Sequence, residues 1–175
     1  MRIVFWASLL LLTTGLATAS DKKLDLPSGK ALTYSSAAEC TRLVVPLHAA
    51  KSKVCLQRDN NVASNARPTL KLIAEVPQFL ILTDTYPSIP GGMSYCQAGE
   101  ETFLRVIALR GKRARETYHR KLASCRQNIE LADPGVTWAA ESGTLTIHWL
   151  SGPKQQGSPE TETLVVDKNA VVKQQ

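Results

Sequence analysis

Glu101-Thr102-Phe103-Leu104-Arg105-Val106-Ile107-Ala108-Leu109, then Arg110-Gly111-Lys112-Arg113, then Glu116-Thr117-Tyr118-His119-Arg120-Lys121-Leu122-Ala123, is the stretch that decides the fold. Two strand-prone runs flank a short turn with a glycine in it, which is the pattern of an antiparallel hairpin. The rival reading is a basic amphipathic helix over Arg113 to Asn128, but its apolar residues are too sparse to make a stripe. Strand is therefore the expectation on both sides of the turn.

The same pattern repeats outward. Thr69 to Val76 and Phe79 to Thr85 are β-prone runs broken by Pro77-Gln78. Val136 to Ala140 and Thr144 to Leu150 flank Glu141-Ser142-Gly143, while Thr163 to Val166 and Ala170 to Lys173 flank Asp167-Lys168-Asn169. Cys40 to Leu47 adds a run with a β-branched centre. Turn signals at this spacing predict an all-β fold, mainly an antiparallel meander, arranged as a sandwich, a barrel or a propeller-like sheet.

The beginning of the chain reads differently. Met1-Arg2 is a short basic region, Ile3 to Leu12 is apolar, and Ala17-Thr18-Ala19 is a small-x-small cleavage site. The apolar run has about ten residues, half of the roughly 20 that a membrane-crossing helix needs, so a cleaved signal peptide is expected rather than an anchor. The expected organisation is a signal peptide at 1–19, a loosely held polar leader at 20–36 with a turn or short helix near Ser35-Ser36, and one β domain at 37–175. The compartment would be the periplasm or the outside medium.

Cys40, Cys55, Cys96 and Cys125 remain after such processing. An even number of cysteines in an oxidising compartment reads as disulfides, and four allow three connectivities. The sequential pairing, Cys40 with Cys55 and Cys96 with Cys125, is favoured. A zinc site would need close cysteine pairs, and the sequence has none. No metal and no cofactor is expected.

Charge narrows the partners. The 175 residues carry 21 Lys and Arg against 15 Asp and Glu, a net charge of +6 with Arg2 included, so encounter with acidic partners is favoured. Arg110, Lys112, Arg113, Arg115, Arg120, Lys121 and Arg126 fall within one short stretch against the single carboxylate of Glu116. Guanidinium groups at that density suit a carboxylate or phosphate, which each can bind with two parallel hydrogen bonds. Aromatic stacking partners there reduce to Tyr118, so nucleic acid is not expected.

A second candidate is the loop Tyr86-Pro87-Ser88-Ile89-Pro90-Gly91-Gly92-Met93-Ser94-Tyr95. Two prolines restrict it, two glycines permit close approach, and Tyr86, Ile89, Met93 and Tyr95 offer apolar contact, as a loop that plugs a partner's cleft would. Of the three histidines, His48, His119 and His148, a hydrolase would use His119 or His148 with Glu100 or Glu101. Glu100 and Glu101 are adjacent and should point to opposite faces of a strand, and Gly99 before them suggests a turn with an unusual backbone angle. His148, between Ile147 and Trp149, should face away from both. No nucleophile-elbow pattern occurs, so a catalytic set is not expected.

Cys96-Gln97-Ala98-Gly99-Glu100-Glu101, with Phe103-Leu104, Ser124-Cys125 and Ile129-Glu130, resembles a group of small exported bacterial proteins of unknown function that carry a Cys-x-Ala-Gly-Glu-Glu motif. The resemblance spans about residues 79 to 172. It implies a Cys96 to Cys125 disulfide and does not point to an activity. Three functional expectations follow from the whole sequence. The first is a non-enzymatic binding or inhibitor protein that protects the cell wall from a lytic enzyme. The second is a module that binds an anionic envelope polymer through the basic hairpin. The third is a hydrolase.

Overall fold

The computed structural model describes residues 21–37, 39–63, 66–89, 96 and 99–175. The expected signal peptide lies outside the described residues, as do Pro90, Gly91, Gly92, Met93 and Tyr95 of the expected partner loop. The described residues form three antiparallel four-stranded meanders. The first contains β1 (Lys22–Asp25), β2 (Ala31–Ser36), β3 (Cys40–Pro46) and β4 (Lys51–Gln57). The second contains β5 (Thr69–Val76), β6 (Phe79–Pro87), β7 (Glu100–Arg110) and β8 (Arg113–Ser124). The third contains β9 (Glu130–Ala139), β10 (Thr144–Ser151), β11 (Glu160–Val166) and β12 (Val172–Gln174).

The all-β meander is present, and β8 is a strand, not the amphipathic helix that its basic residues offered as the alternative. The sheets do not close into one barrel; the second is sandwiched between the other two. β6 shows why. Its run Phe79-Leu80-Ile81-Leu82 is apolar on both faces, and successive side chains of a strand point opposite ways. Leu80 and Leu82, with Leu70 and Ile107, pack against Leu32, Leu43, Val45, Val54 and Leu56 of the first sheet. Phe79 and Ile81, with Leu104 and Val106, pack against Leu145, Ile147, Trp149 and Leu164 of the third. Each fully buried side chain of this size contributes about 1.5–3 kcal/mol. Both outer sheets also hydrogen-bond to the main chain of β8: Ala114 N–H donates to Ser52 Oγ (2.8 Å), and Trp149 Nε1–H donates to the Leu122 carbonyl (2.8 Å).

The loose leader is a correction. Residues 22–25 and 31–36 are β1 and β2, and Ser35-Ser36 ends β2 in register with Arg42 and Thr41. Leu26, Leu32 and Tyr34 are buried in the core shared with the central sheet. Polar residues alternate with them on the solvent face, so a mostly polar composition concealed a strand with one buried side.

The disulfides join Cys40 to Cys55 and Cys96 to Cys125, with Cα separations of 5.6 and 5.7 Å, as the sequential pairing requires. In the chain-entropy account, closed loops of these lengths contribute roughly 3–4 kcal/mol each. Two such bonds suit an oxidising, extracytoplasmic compartment. Among the described residues no helix is long and apolar enough to cross a membrane. Gly99 differs from expectation: its backbone angle is not in the left-handed region, and a Cβ there would lie 2.5 Å from Cys125 Cβ. Glycine is needed for close approach to the disulfide.

Candidate anion-binding site

The turn between β7 and β8 closes tightly at Gly111, whose φ of +57° is cheap only for glycine. Arg110 then pairs with Arg113, and Ala108 with Arg115. Alternation along the two strands puts Ala108, Arg110, Arg113 and Arg115 on one face. Together with Thr117 they line a cavity of about 270 Å³. Ala108 forms its small apolar floor; a larger side chain at that position would fill the space.

None of these three arginines forms an ion pair among the described residues. Arg110 Nη2 donates to the Asn169 carbonyl (2.9 Å), and Thr117 Oγ1–H donates to the Ala170 carbonyl (2.7 Å). Those carbonyls belong to the turn before β12, which Asp167 organises by accepting from the N–H groups of Asn169 (2.7 Å) and Val171 (3.0 Å). The Val171 and Asn169 bonds hold the Asp167 carboxyl below its ordinary range, with the charges of Lys173 and Arg110 acting in the same direction. Like charges directly opposite one another on a ladder are destabilising. A site lined by donors and by three cations that form no ion pair among the described residues is suited to an oxyanion.

The remaining basic candidates divide. Lys112 is exposed at the turn and Arg126 beyond β8. Arg120 pairs with the buried Glu162 and lies 5.3 Å from the Trp149 ring. Burial would lower its pKa, but Glu162 and Tyr118 outweigh this and raise it. Lys121 contacts Asp59 and lies 3.3 Å from Glu101 Oε2. These two cations are engaged inside the molecule.

Sequence reasoning missed a buried polar network. Arg105 Nε and Nη2 donate to the two oxygens of Asp84 (2.8 and 2.9 Å), Nη1 to Glu116 (2.8 Å) and Nη2 also to the Gln57 carbonyl (2.7 Å). Tyr86 O–H donates to Asp84 Oδ2 (2.7 Å), and its oxygen lies 2.8 Å from Thr41 Oγ1. Burial alone would lower the Arg105 pKa; the carboxylates of Asp84 and Glu116 overcome it. The network joins the first sheet to the second. A charged residue on each of two otherwise apolar runs, Asp84 after Leu80-Ile81-Leu82 and Arg105 before Val106-Ile107, was its signal.

Tyr86 is fully buried in that network, which removes it from the expected partner loop. Of the loop's other residues within the described part, Ser88 is buried and Ile89 half-buried. Ser88 N–H donates to the Gly99 carbonyl (2.8 Å) and Ile89 N–H to the Asn61 carbonyl (2.8 Å). The histidines are not brought to Glu100 or Glu101. His48 is exposed, His119 Nδ1 lies 3.8 Å from Glu116, and His148 Nδ1 lies 3.1 Å from Thr161. Glu100 is exposed and Glu101 buried, on opposite faces, and His148 faces away from buried Ile147 and Trp149.

Protein-family models, curated proteins and solved structures were each compared with the chain, and none matches it.

Proposed function

We propose that this chain is an extracytoplasmic, non-enzymatic binding protein that takes an anionic polymer of the cell envelope at the tip of the β7–β8 hairpin. The observation that carries the reading is the cavity of about 270 Å³ lined by Arg110, Arg113 and Arg115, with no carboxylate paired to any of them among the described residues. Arginine forks bind carboxylate or phosphate with two bonds each, and a repeating polyanion engages several at once. Lys112, exposed at the same turn, extends the positive surface.

The test is binding of the oxidised protein to immobilised polyanions, one carboxylated and one phosphorylated, at low and high salt. Screening shortens from about 10 Å at 0.1 M to about 3 Å at 1 M, so binding should weaken steeply. Replacing Arg113 and Arg115 together by alanine should abolish it. Binding that ignores both salt and the double substitution would overturn the proposal.

A second reading, an inhibitor that protects the wall from a lytic enzyme, is favoured by how firmly one end of the 86–95 loop is held, at Ser88 and Ile89. It predicts a stoichiometric enzyme partner that high salt does not displace, and weaker capture on substituting Ile89.

A further inference from the structure

At the opposite end of the hairpin, three ionisable side chains from three segments meet. Lys121 on β8 stands opposite Phe103 on β7, and Glu101 lies two residues before Phe103 on the same face. Asp59 comes from the loop between β4 and β5. That loop is fixed against the central sheet by the bridge between Val62 and Ser88 and by the Ile89 N–H bond to Asn61.

Lys121 Nζ contacts Asp59 Oδ2 and lies 3.3 Å from Glu101 Oε2. The Glu101 side chain is fully buried; its Oε1 accepts from Ser88 Oγ–H (2.9 Å), while Oε2 has no hydrogen-bond partner. The Phe103 ring lies 5.7 Å from the same nitrogen. Asp59 Oδ1 accepts from the Asn61 N–H (2.9 Å), so its other oxygen faces the amine. One amine thus stands between two carboxylates. One carboxylate is buried on a rigid strand, and the other, with its side chain 35% exposed, reaches solvent.

A plain ion pair needs only one carboxylate, whereas here a second, fully buried carboxylate faces the same amine across 3.3 Å. An amine, an electrophilic carboxyl carbon and a carboxylate that can carry protons are the parts of a condensation, held at contact distance by the fold. We propose that Lys121 and Asp59 become joined by an intramolecular amide bond, with Glu101 carrying the protons.

The step balances without a co-reactant. Glu101 takes a proton from the Lys121 ammonium and passes it to Asp59, and the free amine attacks Cγ of the resulting carboxylic acid. A carbon–nitrogen bond forms. A second proton moves through Glu101 from the attacking nitrogen to the departing hydroxyl, and the carbon–oxygen bond breaks to release water. Ammonium and carboxylate become a neutral amide, nothing is oxidised or reduced, and Glu101 returns to its starting state. The water has an exit on the exposed side of Asp59. The amide nitrogen is the former Lys121 Nζ, which stands 3.3 Å from Glu101 Oε2.

The experiment is peptide mapping of the full chain recovered from an oxidising compartment, with disulfides reduced and alkylated, so that N-terminal processing does not affect the result. After trypsin, the expected product is a branched species joining residues 59–71 to residues 121–126, one water lighter than the two peptides together. Cleavage at Lys121 with both peptides unlinked would overturn the proposal. Glu101→Gln should leave the peptides unlinked while both disulfides form; a link that persists in it overturns the role given to Glu101. Lys121→Arg keeps the cation and the fold but cannot condense, so a branched species in that variant would mean the link lies elsewhere.

Discussion

The two ends of the β7–β8 hairpin carry the same kinds of side chain and use them in opposite ways. At the inner end Arg105 is wholly buried and every charge around it is answered: Asp84, Glu116 and the Gln57 carbonyl take its donors. At the tip Arg110, Arg113 and Arg115 face a cavity with no carboxylate paired to them among the described residues. Burying a charge is tolerable only when it is paired and hydrogen-bonded, whereas water screens a charge at the surface. Pairing inside is therefore a condition of folding. Its absence outside is free to serve binding.

The largest expected effect tests the inner end. Arg105→Met keeps much of the side chain's volume and leaves Asp84, buried within the same interface, without its cation. Breaking a buried pair by removing one partner costs about 3–5 kcal/mol. For a domain whose whole stability is about 5–15 kcal/mol, that brings unfolding close to ambient conditions. Denaturant titration of the oxidised protein measures it. A loss below about 1 kcal/mol would show that the network is not what joins the first sheet to the second.

Tyr86 gives the next effect and a pH signature. Burial first, then the neighbouring Asp84 charge, raises its pKa well above the ordinary value. A raised folded-state value means that the folded protein holds the phenolic proton more tightly than the unfolded chain does. The contribution is fully present below the unfolded value near 10 and is lost as pH rises beyond it. Wild type should therefore lose stability with rising pH above about 10, and Tyr86→Phe should lose less over the same interval. At neutral pH the same substitution costs about 1 kcal/mol for its hydrogen bonds. Parallel pH curves for the two proteins would contradict the burial of this hydroxyl.

The contrast also explains what was legible in the sequence. Strands whose pattern is local were readable: Thr69 to Val76 coincides with β5, and the turns at Gly111 and Gly143 fall where hairpins need a left-handed residue. β1 and β2 were not, because their few apolar residues become a core face only when the central sheet covers them. β4, Lys51-Ser52-Lys53-Val54-Cys55-Leu56-Gln57, alternates, but with only Val54 and Leu56 buried it forms no apolar run. At the site, the density of positive charge was visible, but its division was not. Arg115 and Arg120 differ in nothing local. One faces the cavity and the other meets Glu162, which lies on a different sheet and 42 residues away in sequence.

That division predicts the smallest stability effect, and the most informative one. Replacing Arg113 and Arg115 by alanine removes two exposed cations and no ion pair, so stability should change by no more than about 0.5 kcal/mol. The sign should be toward greater stability, because Arg110 and Arg113 sit directly opposite each other and repel. A denaturation midpoint that holds or rises while polyanion binding disappears would separate the tip, kept for recognition, from the inner end, kept for folding. A fall comparable to that of Arg105→Met would instead show that the tip arginines have structural partners, and the distinction between the two ends would fail.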